Sequence, residues 1–93
     1  MINKIIELLK SKEYSFSEIL NELKKEFEIS RKDLINYLRK IAKISKNKNW
    51  KLYYRPSVCK KCNFIAKDFK PISKCPKCKS EWLEEPIYFI KED

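Results

Sequence analysis

Apolar residues recur along the first part of the chain at the spacing of a helix face. Ile2, Ile5, Ile6 and Leu9 fall at i, i+3, i+4 and i+7, with Asn3, Lys4, Glu7 and Lys10 on the other side. This predicts an amphipathic helix ending near residues 11–14. Ser15-Phe16-Ser17-Glu18 then has the form of a capping box, in which the Ser15 hydroxyl and the Glu18 carboxylate each accept from a backbone N–H. A second helix is expected from there, with Phe16, Ile19, Leu20, Leu23 and Phe27 on one face. Residues 24–28 are expected to extend it by about one turn. Ser30-Arg31-Lys32-Asp33 repeats the cap and opens a third helix. Its apolar stripe is Leu34, Tyr37, Leu38 and Ile41, and its outward positions are Arg31, Lys32, Ile35, Asn36, Arg39, Lys40 and Lys43.

After Ile44 the period changes from that of a helix to that of a strand. Lys46-Asn47-Lys48-Asn49 is a polar link. Residues 50–55 then alternate, with Trp50, Leu52 and Tyr54 on one face and Lys51, Tyr53 and Arg55 on the other. Pro56 ends the run, and residues 86–90 supply an antiparallel partner. Two helices joined by a short link, the second with a basic and amide-bearing outer face, are a helix-turn-helix signal. Three helices followed by a two-stranded hairpin are the winged-helix order. The expected fold is therefore α+β: a three-helix winged helix-turn-helix with a two-stranded wing hairpin, residues 1–55 with 84–93, and a module at the wing tip, residues 56–83.

That module carries all four cysteines of the chain as two pairs, Cys59-Lys60-Lys61-Cys62 and Cys75-Pro76-Lys77-Cys78. Two Cys-x-x-Cys turns facing each other bring four soft sulfur ligands to one point, the closed tetrahedral arrangement preferred by structural Zn²⁺. The paired spacing, and the lack of any sign of export, favour this over two disulfides. After the second cysteine of each pair the chain has Asn63 and Lys79. Asn tolerates the left-handed conformation well, and Lys tolerates it less. Val58, Phe64, Ile65, Phe69, Ile72, Trp82 and Leu83 are enough to cover a metal site and too few to fold without one, so the module is expected to be disordered without its metal. Trp50 and Trp82 are read as core residues in preference to base-stacking platforms.

At 93 residues the chain is one domain with a small lobe, and a metal staple helps a core of this size. The first residues interleave charges with apolar positions and lack the uninterrupted segment of a signal peptide, and no run reaches membrane-spanning length. A cytoplasmic protein with reduced thiols is expected. The net charge is +9, and from residue 31 to residue 61 eleven basic residues face the single acid Asp33. That segment alone exceeds the charge of the whole chain and points to a polyanion partner. Four thiolates with one Zn²⁺ lower the total to about +7. There is no histidine, so no Ser-His or Cys-His pair can form, and the chain reads as a non-enzyme.

Residues 15–43, with the form Ser-x-x-Glu-Ile...Ile-Ser-x-x-x-Leu-x-x-Tyr-Leu-Arg-x-Ile-Ala, resemble the winged-helix regulators of archaea and bacteria. The stretches Arg55-Pro56-Ser57-Val58-Cys59-Lys60-Lys61-Cys62 and Lys74-Cys75-Pro76-Lys77-Cys78-Lys79-Ser80-Glu81-Trp82-Leu83-Glu84-Glu85-Pro86 are similar to one archaeal group. Its members are transcriptional regulators in which a helix-turn-helix is fused to a rubredoxin-like zinc ribbon in the wing. The resemblance implies a winged-helix fold, Zn²⁺ on Cys59, Cys62, Cys75 and Cys78, and a DNA-binding role. In that role helix 31–43 enters the major groove of double-stranded DNA. Arg31, Lys32, Asn36 and Arg39 are the candidates for base or phosphate contact, and Lys40, Lys43, Lys46, Lys48, Lys60 and Lys61 for phosphates. The alternative is a protein-interaction adaptor of the transcription or RNA machinery. A distant third is iron in place of zinc and electron transfer. A homodimer through residues 1–10 or the 87–90 edge is compatible with the sequence, which favours neither surface.

Overall fold

The computed structural model describes residues 1–92; Asp93, the last residue of the expected wing segment, lies outside the described residues. The order of elements is α1 (Ile2–Ser11), β1 (Tyr14–Ser15), α2 (Phe16–Lys24), α3 (Arg31–Ser45), β2 (Trp50–Arg55), β3 (Val58–Cys59), β4 (Leu83–Glu84) and β5 (Ile87–Glu92). Both capping boxes form. Ser15 Oγ accepts from the Glu18 N–H at 3.3 Å while the Glu18 carboxylate accepts from the Ser15 N–H at 3.0 Å. The corresponding Ser30 and Asp33 distances are 3.1 and 3.2 Å. Each box satisfies two backbone donors that a helix start otherwise leaves without partners. The Ser15 N–H and Oγ hold the Glu18 carboxyl below its usual range.

The three helices close over one face of a three-stranded sheet with strand order β1-β5-β2. The hairpin of β2 and β5 runs in register from Trp50 opposite Glu92 to Arg55 opposite Ile87. The return strand is longer than expected, and it gains a second neighbour that the sequence pattern did not reveal: Tyr14 and Ser15 pair with Tyr88 and Ile87. Two residues are too short to show a period of their own. They are recognisable as a strand only because β5 lies beside them. The expected two-stranded wing is therefore part of a three-stranded sheet.

Thirteen residues make the main core: Ile5 and Leu9 from α1, Phe16, Ile19, Leu20 and Leu23 from α2, Ile29, then Leu34, Leu38 and Ile41 from α3, and Trp50, Tyr88 and Ile90 from the sheet. Two assignments differ from the periodicity, and Ile44, which it left unassigned, lies at the surface. Phe27 is 38% exposed, because α2 stops at Lys24 and the next residues turn, with the Glu26 and Phe27 N–H groups both donating to the Leu23 carbonyl. Ile35, expected to face outward, packs half-buried against the core. Ile44 is 38% exposed.

Contacts on two sides of the ribbon's base tie this region to the helical part. The Glu85 carboxylate accepts from both the N–H and the hydroxyl of Ser17, at 3.0 and 2.6 Å, placing a negative charge in the first turn of α2, where the helix dipole favours it. The Phe16 N–H donates to the Pro86 carbonyl at 3.1 Å. On the other side Phe69 meets Tyr54 and Tyr88 edge-on, with ring centroids at 5.1 and 5.4 Å, and its carbonyl accepts from the Tyr88 hydroxyl at 2.5 Å. Burial, then the neighbouring Tyr54 and Glu85, push the Tyr88 hydroxyl well above its usual pKa. Among the described residues, no helix is long and apolar enough to cross a membrane.

Candidate metal centre and basic surface

Between β2 and β5 the chain leaves the main sheet and builds a second, two-stranded one. Val58 pairs with Glu84 and Cys59 with Leu83, and Ile65 forms a single bridge to Val58. Cys59-x-x-Cys62 and Cys75-x-x-Cys78 form two turns with matching hydrogen bonds. In the first, the Cys59 N–H donates to the Phe64 carbonyl at 2.8 Å and the Asn63 N–H to the Cys59 carbonyl at 2.9 Å. In the second, the Cys75 N–H donates to the Ser80 carbonyl at 2.8 Å and the Lys79 N–H to the Cys75 carbonyl at 2.9 Å. Both turns need one residue in the left-handed region, and it is Asn63 (φ 61°) and Lys79 (φ 65°), the two positions singled out from the sequence. A side chain with a Cβ is disfavoured there, so Lys79 carries local strain that Asn63 largely avoids.

The turns bring the four sulfurs together. All lie within 4.8 Å of one another, with Cys59 and Cys78 Sγ 3.5 Å apart and Cys62 and Cys75 Sγ 3.7 Å apart. These separations are far too long for a disulfide bond. They are close to the edge, about 3.8 Å, of a tetrahedron with metal–sulfur bonds of about 2.3 Å. Cys59 and Cys75 are buried, Cys62 and Cys78 half-buried. The thiols do not ionise alike. The Cys62 N–H, with help from the Lys61 N–H and neighbouring thiols, brings Cys59 down to about 6 against the effect of burial. Cys62 receives the Phe64 N–H, yet burial and the other three thiols push it up to about 12. Four negative charges cannot gather in this space without a cation. The donor set thus fits a four-thiolate metal centre, in which a divalent ion offsets the repulsion and holds both turns.

Eight of the ten remaining candidate residues lie outside the ribbon, on α3 and the turn after it. Arg31, Lys32, Asn36, Arg39, Lys40 and Lys43 are all exposed on α3, and Lys46 and Lys48 are exposed in the turn after it. Leu34, Leu38 and Ile41 hold the opposite side of the helix in the core. Asp33, the one acid nearby, is occupied by the Ser30 cap. Among the described residues, the four ion pairs are Lys4–Glu26, Lys10–Glu92, Lys25–Glu22 and Arg55–Glu13, and none uses an α3 cation. Arg31 and Lys40 lie over the rings of Phe16 and Tyr37, at 4.8 and 5.9 Å. Lys60 and Lys61 are exposed in the first metal turn, as part of the ribbon.

Two features of this charged surface lie outside the sequence expectations. Lys51 turns inward: its ammonium donates to the Ser45, Lys46 and Lys48 carbonyls at 2.7, 3.3 and 2.9 Å and so caps the end of α3. Trp82 is 63% exposed, whereas Trp50 is 8% exposed and part of the core. The signal was available in the local alternation. Trp82 shares its parity with the polar Ser80 and Glu84 and is opposite in parity to the half-buried Leu83.

The family description "PF0610 rubredoxin-like zinc beta-ribbon domain" matches residues 56–92. The solution NMR structure of protein PF0610 from Pyrococcus furiosus is similar over 99% of this chain and 89% of that one, with 40% sequence identity and a TM-score of 0.83. No curated protein matches the chain.

Proposed function

We propose that this chain, which belongs to the family of the Pyrococcus furiosus protein PF0610 with its rubredoxin-like zinc β-ribbon, is a DNA-binding transcriptional regulator with a structural zinc ion. In this reading the three helices and the β1-β5-β2 sheet are a winged helix-turn-helix, α3 is the recognition helix, and the ribbon replaces the tip of the wing. The observation that carries it is the outer face of α3. Six exposed polar side chains, five of them cationic, stand on a helix whose other side is locked into the core. A helix can enter the major groove only if its groove-facing side is free in this way.

Arg39 and Asn36 lie mid-helix and suit guanine and adenine edges respectively. Lys40, Lys43, Lys46 and Lys48 supply phosphate contacts, which give affinity without sequence information. Zinc on Cys59, Cys62, Cys75 and Cys78 contributes no chemistry to DNA binding in this reading. It holds the two turns, and through them the strands that lead back to the helices.

The test is fluorescence anisotropy of the metal-loaded protein with genomic and random duplex DNA across a salt series. Genomic fragments should bind more tightly than random ones, with affinity falling steeply as salt rises. Changing Lys46 and Lys48 together to Gln should weaken all duplexes alike and reduce the salt slope by about two. Absence of binding at low salt would overturn the reading and favour the adaptor role. Metal analysis and visible absorption of the native protein distinguish zinc, which is colourless, from iron.

A further inference from the structure

The exposure of Trp82 is unusual because its backbone is held at both ends. Its N–H donates to Ser80 Oγ at 3.0 Å, and its carbonyl accepts from the Lys60 N–H at 2.9 Å. Ser80 is in turn tied to the second metal turn by the hydrogen bond from the Cys75 N–H. The indole is therefore carried on backbone that is hydrogen-bonded to both metal turns.

Its surroundings follow from strand alternation. Val58, Ile65 and Glu84 stand together on the face opposite Cys59 and Leu83, because paired residues share a face and neighbours alternate. One step further along, Lys60 and Trp82 continue that face, and the Lys60 ammonium lies 5.9 Å from the centre of the Trp82 ring. Ile65 is 61% exposed. The face thus offers an exposed aromatic ring, an aliphatic neighbour and a cation, with Glu84 as its acid. Across residues 56–83 the chain has seven lysines, all exposed, against Asp68 and Glu81.

We propose that this outer face of the ribbon is a stacking platform for an unpaired nucleic-acid strand. Trp82 takes the flat side of a base, and Lys60 takes the adjoining phosphate. Any base has a π-face, so such a platform is tolerant of sequence. An acidic peptide without aromatic residues would satisfy the lysines but has no ring to stack on the indole, whereas every nucleotide carries both a base and a phosphate. The site is separate from the outer face of α3 and does not depend on the role proposed for that helix.

The experiment uses the full metal-loaded chain and the oligonucleotide (dT)12. Binding should quench tryptophan fluorescence, and the change reports Trp82, since Trp50 is buried. Trp82→Ala should keep one metal per chain and weaken (dT)12 binding about 5- to 150-fold, the range for losing one stacked base. Trp82→Phe should retain most of the affinity, and Lys60→Gln should weaken binding and reduce its salt dependence. The double variant Arg39→Ala, Lys43→Ala should leave (dT)12 binding unchanged while weakening duplex binding if α3 reads DNA. Unchanged (dT)12 affinity in a metal-replete Trp82→Ala protein would overturn the proposal. So would equal loss of (dT)12 binding in the α3 variant, or a poly-glutamate peptide that competes with (dT)12 for Trp82 at equal charge. Should Trp82→Ala lose its metal, the wild-type titration decides: binding without quenching overturns the platform.

Discussion

The helical lobe and the ribbon are stabilised by different means. In the lobe, thirteen side chains from three helices, two strands and the link at Ile29 are buried against one another, and eight are fully inaccessible. In residues 56–83, by contrast, only Ser57, Cys59, Ala66 and Cys75 are buried among the described residues, and two of these are metal ligands. Of the seven apolar side chains expected to cover the metal site, Ile65 and Trp82 face outward and the other five are only half-buried. Apolar burial drives a domain in proportion to the area removed from water, and a segment this short removes too little. The ribbon depends instead on four ligands meeting at one point. Phe69 links the two parts, since it belongs to the ribbon segment and packs against Tyr54 and Tyr88.

The largest effect should come from removing the metal. Structural zinc in small modules contributes about 10–16 kcal/mol of apparent binding free energy, most of it realised as folding. Chelation should collapse the amide signals of residues 58–84 in an NMR spectrum while those of Leu34, Leu38 and their neighbours stay dispersed. Loss of both sets together would show that the lobe cannot stand alone. Leu38→Ala tests the opposite side: opening a cavity in the core should cost about 2–5 kcal/mol in denaturant unfolding and leave metal content at one per chain.

Phe69→Ala should cost less, about 2 kcal/mol, because the ring is only half-buried and loses two edge-on aromatic contacts. Its signature is that both parts feel it, with faster hydrogen exchange in the ribbon as well as a lower unfolding midpoint. The smallest effect concerns the turns. Lys79→Gly should stabilise the metal-loaded ribbon by about 1 kcal/mol by relieving the left-handed residue, and Asn63→Gly should do much less. Thermal unfolding of the loaded protein compares the two, and a larger gain at Asn63 would contradict the strain assigned to Lys79.

Much of this arrangement was legible along the chain because its causes are local. The helix stripes came from a period of 3.6, the capping boxes from residues three apart, and the metal turns from Cys-x-x-Cys spacing. The antiparallel pairing of the hairpin strands followed from alternation around an intervening module, whereas their register came only from the structure. Even the two left-handed positions could be read, since the turn geometry demands them whatever the rest of the fold does. Phe27 was misplaced because an apolar residue at helical spacing says nothing about whether the helix continues to reach it. The strand at Tyr14 and Ser15 was invisible because its only cause is a partner more than seventy residues away.

The chain by itself thus determined the helices, their caps, the hairpin and the ligand set, all of which depend on interactions over a few residues or on the chemistry of a donor group. Only the tertiary structure decided which charges and rings remain available. Lys51 and Lys43 look alike in sequence, yet one reaches three carbonyls at the end of α3 and the other meets solvent. Trp50 and Trp82 both adjoin strand-like runs, yet only the first is covered by the main core. Burial of a side chain is a property of what the rest of the chain places against it, and that is settled by packing between distant segments.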